Sequence, residues 1–250
     1  MKYNGERYDS PVKEDELLLE AASGEILESQ LNEAAYANKN IRRISFCNGD
    51  ILELSLKEVE NIISRVHYYF PECRVISMHS SVSSIKNKTD DELKHLKNLG
   101  VNDIYINHET GNPEVLAYIN DGHTVRDSIE QMARLNKAGI RHIASIVIGL
   151  GGHGLAEECA IDTAGMLSRI KPSMIIFNRL KVCEWSEIYE DVKEGRFIEA
   201  EECEILIEEK TIIENIDLPD TYLSSKEVSG YLGKDRKHII ETFEDRLKLL

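Results

Sequence analysis

Residues 142–180 read HIASIVIGLGGHGLAEECAIDTAGMLSRIKPSMIIFNRL. The apolar runs at 142–149 and 173–180 are typical of buried strands, and residues 155–170 between them show the apolar spacing of a helix. A strand, a helix and a second strand in this order form a βαβ unit, whose two strands are parallel. The stretch therefore predicts an α/β fold built on parallel strands.

Strands and helices alternate along most of the chain. Strands are predicted at residues 16–21, 42–47, 74–79, 103–108, 142–149 and 173–180. Helices are predicted at residues 24–37, 55–70, 90–100, 124–139 and 155–170, and two acidic helices fill 185–216. Six β–α units in series form a barrel, an incomplete barrel or a doubly wound sheet. Residues 21–27, AASGEIL, lack the G-x-G-x-x-G fingerprint of a nucleotide-binding sheet, which favours the barrel-like arrangement.

The length of 250 residues suits a single domain, because α/β barrels of this size usually form one unit. We expect the barrel to occupy residues 1–218. Residues 219–250 then form a C-terminal extension, in which 221–233 is a polar loop and the remainder a helix that closes one end of the barrel.

The composition excludes several classes of partner. The chain carries 30 Lys and Arg against 45 Asp and Glu, a net charge of −15, which argues against nucleic acid or an anionic membrane. The longest apolar runs, such as residues 143–150, fall well short of the roughly 20 residues of a membrane helix. The first 16 residues are polar and lack the apolar core of a signal peptide. We therefore expect a cytoplasmic protein without a membrane partner.

The charge is concentrated in residues 184–217, which hold thirteen acidic and three basic side chains, a net charge of −10. One interpretation is the solvated face of outer helices. The other is a docking surface for a basic protein partner.

The five cysteines lie more than fifteen residues apart, at Cys47, Cys73, Cys159, Cys183 and Cys203. An odd number of cysteines in a chain without an export signal predicts reduced thiols. No pair has the C-x-x-C or C-x-x-x-C spacing of a zinc or iron–sulfur loop.

Ligands of parallel α/β folds bind at the carboxyl ends of the strands. After five of the predicted strands the residues are polar, small or rich in glycine. These segments are 48-NGD-50, 79-HSSVSS-84, 108-HETGNP-113, 149-GLGGHG-154 and 179-RLKVCEW-185. Together they predict a polar pocket at one mouth of the barrel.

The segment 149–154 holds four glycines in six residues. Gly149 and Gly151 would let the backbone approach a ligand closely and would leave N–H groups free to bind it. A tight turn between strand and helix is the alternative.

Three charged residues at the strand ends are further candidates for ligand binding. Asp50 could accept hydrogen bonds from an ammonium group and Glu109 from a ribose, although either acid could instead cap a helix. Arg179 could pair with a carboxylate or phosphate, or with one of the acidic helices.

The sequence resembles the radical S-adenosylmethionine superfamily, in particular its oxygen-independent coproporphyrinogen oxidase-like branch. The resemblance extends over nearly the whole chain, and residues 91–124, DELKHLKNLGVNDIYINHETGNPEVLAYINDGHT, carry its most specific part. The other matching segments are 1-MKYNGERYDSP-11, 17-LLLE-20, 48-NGD-50, 134-RLNKAGI-140, 146-IVIGLGG-152 and 221-TYLSSKEVSGYL-232.

This resemblance implies a partial (β/α)6 barrel, similar to a TIM barrel, that binds S-adenosylmethionine across its mouth. Asn48, Gly49 and Asp50 would then face the methionine amino group, and Glu109 would lie near the ribose or the amino-acid part. The remaining cofactor-binding residues would be Gly149 and Gly151 near the adenine and Arg179 near the carboxylate.

The sequence departs from the superfamily after the first strand. Members carry a C-x-x-x-C-x-x-C loop there, whose three thiolates hold a [4Fe–4S] cluster and leave the fourth iron open to the cofactor. Here Glu20 leads through residues 21–25, AASGE, directly into a helix. Since isolated thiols on separate strands cannot hold one cluster from one side, we expect no [4Fe–4S] cluster and no radical cleavage.

Three hypotheses of function follow. In the first, the protein binds S-adenosylmethionine or a related nucleoside for sensing, carrying or non-radical transfer. In the second, His79, His108 and His153 converge at the mouth beside Asp50 and Glu109 and hold a catalytic divalent metal, although capping or loop roles are the alternative. In the third, the chain is a non-catalytic subunit that docks a partner protein through its acidic surface.

Overall fold

The computed structural model describes residues 15–20, 24–47, 49–119, 122–225 and 231–250. These residues form two compact units. The N-terminal unit contains the described residues up to Ile106 together with 133–142, and the C-terminal unit contains the described residues of 107–132 and 143–250.

The N-terminal unit is built from parallel strands joined by helices. Its strands are β1 (Glu16–Glu20), β2 (Arg43–Cys47), β3 (Val75–Ser80) and the first part of β4 (Val101–Glu109). Its helices are α1 (Gly24–Ala37), α2 (Leu56–Tyr69), α3 (Val82–Lys86) and α4 (Asp90–Asn98). Each strand pairs in parallel with the next, and the register places Phe46 beside Leu19 and Met78. Capping boxes at Ser55 and Thr89 fix the start of α2 and α4.

The C-terminal unit continues the alternation. It contains the end of β4, α5 (Pro113–Ile119), most of α6 (Val125–Ala138) and of β5 (Arg141–Ile148), α7 (Ala156–Ile170), β6 (Met174–Arg179), α8 (Glu187–Lys193), α9 (Glu202–Asn215), β7 (Tyr222–Ser225), β8 (Tyr231–Gly233) and α10 (Arg236–Leu247). β5, β6 and β7 are parallel neighbours, and β8 is antiparallel to β7. The buried cluster around Val147, Leu150 and Phe197 joins β5 to α5, α7 and α8.

The predicted α/β class is confirmed, since the eight strands of the described residues are mostly parallel and alternate with helices. All six predicted strands and the five helices predicted before residue 171 occur within two residues of their expected bounds, and the two acidic helices lie inside the expected range. The expected terminal helix is α10. Three expectations differ. The short helices α3 and α5 were not predicted, and the polar loop expected at 221–233 instead contributes β7 and β8 in its described residues.

The described part of residues 219–250 belongs to the same compact unit as 143–218. β7 pairs with β6, with Leu223 beside Ile175. A boundary between 218 and 219 stays a prediction. Within the described ranges, no helix is long and apolar enough to cross a membrane.

Asp103 of β4 anchors the interior of the N-terminal unit. Its carboxylate is buried and accepts hydrogen bonds from Arg141 at 2.7 and 3.1 Å and from Arg43 at 3.1 Å. Arg43 also donates to the Ser77 hydroxyl at 3.0 Å. One buried carboxylate thus neutralises two guanidinium groups on other strands, and its loss would leave both without their anion.

We expect Asp103→Asn to lower the free energy of unfolding by about 2 kcal/mol, because it removes the charge of a buried carboxylate that accepts hydrogen bonds from two guanidinium groups. Urea denaturation measures the change. Asp91→Asn, at a side chain that is 95% exposed, is the matched control and should change stability by less than about 0.5 kcal/mol. Equal effects of the two substitutions would contradict the anchoring role.

Candidate functional site

In the N-terminal unit, Asp50 follows β2 and ties it to the end of β3. Gly49 turns the chain with φ of +99°, a conformation that glycine adopts without strain. The Asp50 carboxylate then accepts the N–H of Leu52 at 3.0 Å and the N–H of Ser81 at 2.7 Å. The capping alternative for Asp50 is therefore realised. Asn48 lies outside the described residues.

His79 lies near Asp50 in the same unit. Its ring stacks on Tyr105, with 4.3 Å between the ring centroids. Burial lowers the pKa of His79 to about 4, against a weaker opposing effect of the Asp50 charge. The imidazole is consequently neutral at physiological pH. A neutral imidazole has one ring nitrogen that can accept a hydrogen bond.

In the C-terminal unit, Glu109 ends β4 in an unusual conformation. Its backbone has φ of +62°, in the left-handed region that non-glycine residues rarely adopt, and the residue is only 3% exposed. Such strain persists where the surrounding structure imposes it, and it clusters at functional sites. A buried carboxylate held in this way at the carboxyl end of a parallel strand is the strongest ligand-binding candidate of the unit.

The residues after Glu109 are fixed to α7. The Thr163 hydroxyl accepts the N–H of Gly111 at 2.9 Å and lies 3.3 Å from the hydroxyl of Thr110. Asn112 donates to the carboxylate of Asp162 at 2.9 Å. A Cβ atom at Gly111 would lie 2.5 Å from the carbonyl oxygen of Asp162, so only glycine allows this close approach.

Gly111→Ala should therefore lower the free energy of unfolding by about 2 kcal/mol, because the added methyl group overlaps with the backbone of α7. Gly165→Ala within α7 is the control, since its Cβ would meet no atom within 4 Å. That variant should stabilise the protein by up to about 1 kcal/mol. Chemical denaturation of both proteins tests the pair, and a neutral Gly111→Ala would show that the loop can move away from α7.

The remaining two histidine candidates, His108 and His153, lie in the C-terminal unit and contact other protein side chains. His108 is fully buried, and its Nδ1 lies 3.1 Å from the Ser128 hydroxyl. His153 is exposed, and its Nδ1 lies 3.0 Å from Glu204, which raises the pKa of the imidazole. Across the described ranges, no group of three His, Cys, Asp or Glu side chains is arranged to hold a metal ion. The metal hypothesis stays a prediction.

The glycine loop at 149–154 is bonded to α9 and to the segment before it. Gly149 donates to the Glu208 carboxylate at 2.9 Å and Gly154 to Glu204 at 2.7 Å. His153 donates to the carbonyl oxygen of Ile198 at 2.8 Å. Of the two glycines expected to bind a ligand, Gly149 thus donates its N–H to α9, and ligand binding by this loop stays a prediction.

The glycines of this loop also allow close packing. A Cβ at Gly149 would overlap with the Ile205 side chain, and one at Gly151 would lie 2.7 Å from Cys159 Sγ. Close packing of Gly149 against α9 and of Gly151 against α7 therefore requires glycine at both positions.

Glu208 is buried, and burial raises its pKa to about 8, although the bond from Gly149 acts in the opposite direction. Sequence reasoning missed this residue, as it missed Glu202 and Glu204. Its helical spacing could have indicated burial, because Glu208 lies between the apolar residues Ile205 and Ile212, on the face of α9 that packs inward.

The raised pKa of Glu208 predicts a pH effect. Between pH 4.5 and 8 the folded protein holds a proton that the unfolded chain releases, so stability falls as the pH rises through this range. Glu208→Gln is neutral at every pH and can still accept the Gly149 bond. We expect it to stabilise the protein by about 3 kcal/mol more at pH 8 than at pH 5.

Urea denaturation at both pH values measures this difference. Glu214→Gln, on the same helix, is the control, because Glu214 is exposed and pairs with Lys210 at 2.7 Å. If Glu208→Gln changes the stability by the same amount at pH 5 and at pH 8, the Glu208 side chain is ionised in the folded protein at both pH values.

Arg179 ends β6 and pairs with Glu202 at the start of α9. Its Nη1 lies 2.6 Å from Glu202 Oε2, and Arg246 of α10 reaches Oε1 of the same carboxylate at 3.1 Å. The predicted alternative, a salt bridge to an acidic helix, is therefore present.

Residues 23–167 match the family model of the radical SAM (S-adenosylmethionine) superfamily. This match covers more than half of the chain. The chain belongs to the radical SAM superfamily. No curated protein sequence matches it.

Solved structures show how far the radical SAM fold extends over the chain. Elp3 of Methanocaldococcus infernus, without its N-terminal residues 1–46, is similar over 94% of this chain and 64% of its own, with 12% identity and a TM-score of 0.67. Methylornithine synthase (PylB) is similar over 86% and 59%, with 14% identity and a TM-score of 0.58. Coproporphyrinogen III oxidase (HemN) of Escherichia coli is similar over 83% and 56%, with 12% identity and a TM-score of 0.53.

At these identities the similarity shows the fold alone, and the chain spans less than two thirds of each of these proteins. The fold is that of the radical SAM partial barrels, as the sequence predicted.

Membership of the radical SAM superfamily implies S-adenosylmethionine and usually a [4Fe–4S] cluster, so the thiols need to be compared with that cluster. All five cysteines lie in described residues, in β2, the loop before β3, α7, the loop before α8, and α9. Burial raises the pKa of Cys73, and that of Cys159 to about 12, which disfavours the thiolate. The three residues between β1 and α1 are Ala, Ala and Ser. The thiols of this chain therefore do not fit a three-thiolate cluster site.

Proposed function

We propose that the protein binds S-adenosylmethionine or a related nucleoside and uses it without radical chemistry, for sensing, carrying or non-radical transfer. Superfamily membership supports the ligand, and the absence of a set of three neighbouring cysteines supports the non-radical use. The observation that carries the proposal is Glu109, a buried carboxylate in a left-handed backbone conformation at the end of β4.

The proposed role of Glu109 is to accept hydrogen bonds from the ribose hydroxyls or the amino group of the ligand. A carboxylate can accept several such bonds, and burial strengthens each of them. By the resemblance, Asn48, Gly49 and Asp50 would face the amino group, Gly149 and Gly151 the adenine, and Arg179 the carboxylate. Asp50, Gly149 and Arg179 already bond within the protein, so the ligand would add to these contacts or replace them.

Glu109→Gln should weaken binding of S-adenosylmethionine to metal-free protein by about 10- to 100-fold, because it removes the charge from the acceptor. Isothermal titration calorimetry measures the affinity. Glu109→Gly goes further, since it removes the carboxylate and relieves the left-handed backbone. That variant should lose binding while its stability stays within about 1 kcal/mol of the parent.

Lys171→Gly is the matched control, because Lys171 also adopts a left-handed conformation, with φ of +55°, at the end of α7. It relieves the same kind of strain without altering the candidate site, so its affinity for the ligand should equal that of the parent. Saturable binding that survives both Glu109 substitutions would refute the role of Glu109. No heat at millimolar ligand with the parent protein would refute the proposed function.

A second candidate function is that of a non-catalytic subunit. The observation in its favour is that the loop N–H groups and Arg179 are bonded to carboxylates of α9. Its partner would be a basic protein that docks on the acidic surface at 184–217, where Trp185 is 66% exposed. Isolation of a stable complex, together with the absence of nucleoside binding, would favour it.

Stoichiometric metal in the purified protein would favour the metal-dependent enzyme instead.

A further inference from the structure

We propose that a cavity between helices α1 and α2 binds an organic ammonium ion, a ligand with a cationic amine and an aliphatic body. The cavity has a volume of about 630 Å³, and its lining residues belong to the N-terminal unit. Small-molecule sites have volumes of roughly 300 to 1,000 Å³, so this cavity has the size of a ligand site. All of its lining residues come from α1 and α2, which separates it from the strand-end residues described above.

The cavity has an apolar floor and a polar wall. Leu27 of α1 and Ile62 of α2 line the floor, and they are only 3% and 4% exposed. In the wall, Glu25, Glu58 and Asn61 are exposed to solvent. Ligand sites commonly combine apolar surface for the body of the ligand with a few polar groups that fix its head. The cavity therefore fits a ligand with one apolar and one polar end.

One side of the wall is fixed by charged and aromatic side chains that bind each other. Arg65 donates to both oxygens of the Glu28 carboxylate, through Nε and, at 2.6 Å, through Nη2. The Tyr69 hydroxyl donates to Glu28 at 3.0 Å, and the Arg65 guanidinium lies 4.7 Å from the centroid of the Tyr68 ring. The positive charge of Arg65 is thus paired with Glu28 before any ligand binds.

The other two carboxylates of the wall can accept hydrogen bonds from a ligand. Across the described ranges, the Glu25 side chain has no hydrogen bond and no ion pair. Glu58 accepts the N–H of Ser55 at 2.9 Å and its hydroxyl at 2.6 Å, and both of these bonds go to Oε2. Glu58 Oε1 takes no part in this cap. An ammonium group carries three N–H donors and no acceptor, so carboxylate oxygens of this kind match it.

The charge of the lining favours a cation over an anion. Three glutamates against one arginine give the lining residues a formal charge of −2. Lys88, whose positive charge helps to lower the pKa of Glu58, changes this sum to −1, and its Nζ donates to the carbonyl oxygen of Leu54 at 2.7 Å. An ammonium group compensates for the remaining negative charge, whereas a carboxylate or a phosphate would add to it.

The test compares hexylamine, hexanol and hexanoate, three probes with the same aliphatic chain, in NMR titrations of the full chain. Hexylamine should bind about ten times more tightly than hexanol, because the carboxylates recognise its charge. Hexanoate should not bind at millimolar concentration. Glu25→Gln should weaken the binding of hexylamine by about fivefold, since it removes one of these charges.

Asp91→Asn is the matched control for Glu25→Gln. It removes a charge from the same unit, at a side chain that is 95% exposed and does not line the cavity. It should change the affinity for hexylamine by less than about twofold, because solvent and salt screen an exposed charge. Equal losses of affinity in the two variants would overturn the proposal, since they would assign the attraction to the net charge of −15.

A second pair of variants tests the cavity itself. Asn61→Trp places a large side chain in the cavity and should abolish the binding of hexylamine. Ser64→Trp adds the same side chain at an exposed position of α2 outside the lining and should preserve it. Binding that survives Asn61→Trp, equal affinities for hexylamine and hexanol, or no binding of hexylamine at millimolar concentration would each overturn the proposal.

The cavity is independent of the proposed function, because none of its lining residues is a candidate for binding S-adenosylmethionine. Glu109→Gln should therefore leave the hexylamine titration unchanged, and Glu25→Gln should leave the affinity for S-adenosylmethionine unchanged. S-adenosylmethionine carries an amino group of its own. If it displaces hexylamine from the parent protein, the cavity belongs to the nucleoside site, and the proposal of a separate amine site is wrong.

Discussion

Parallel pairing is the constraint on which the candidate site depends. Strands β1 to β4 of the N-terminal unit point the same way, as do β5 to β7 of the C-terminal unit, because helices return the chain to the same edge between these strands. The polar residues that follow the strands therefore gather at one edge of each unit. Asp50 meets Ser81 in this way in the N-terminal unit, and in the C-terminal unit Arg179, the last residue of β6, pairs with Ile148, the last residue of β5.

The periodicity of the sequence predicted the fold because its cause is local. A buried parallel strand is a continuous apolar run, and an outer helix shows apolar residues at helical spacing, so β5, α7 and β6 can each be recognised separately. The pattern fails for short or polar elements. Helix α3 has only five residues, too few to establish a period, and β7 carries serines that the sequence presents as a loop.

The candidate site was predicted only in part, because its chemistry depends on pairs that are distant in sequence. Position alone selected Arg179 and Glu109 as strand-end residues. No local sequence pattern predicts the left-handed φ of Glu109. None predicts that Arg246 and Arg179 both bond to Glu202, since each of these features results from tertiary packing. The acidic run at 184–217 was counted as surface charge, yet Glu208 and Glu209 lie in the interior. Net charge could not distinguish these two environments.

Trp185 has a consequence for how this protein is studied. It is the single tryptophan of the chain, and it lies largely in solvent just before α8. Its indole fluorescence will therefore change little when the core melts. The same emission becomes a selective reporter of events at the acidic segment, where quenching or a blue shift would signal that this surface has been covered.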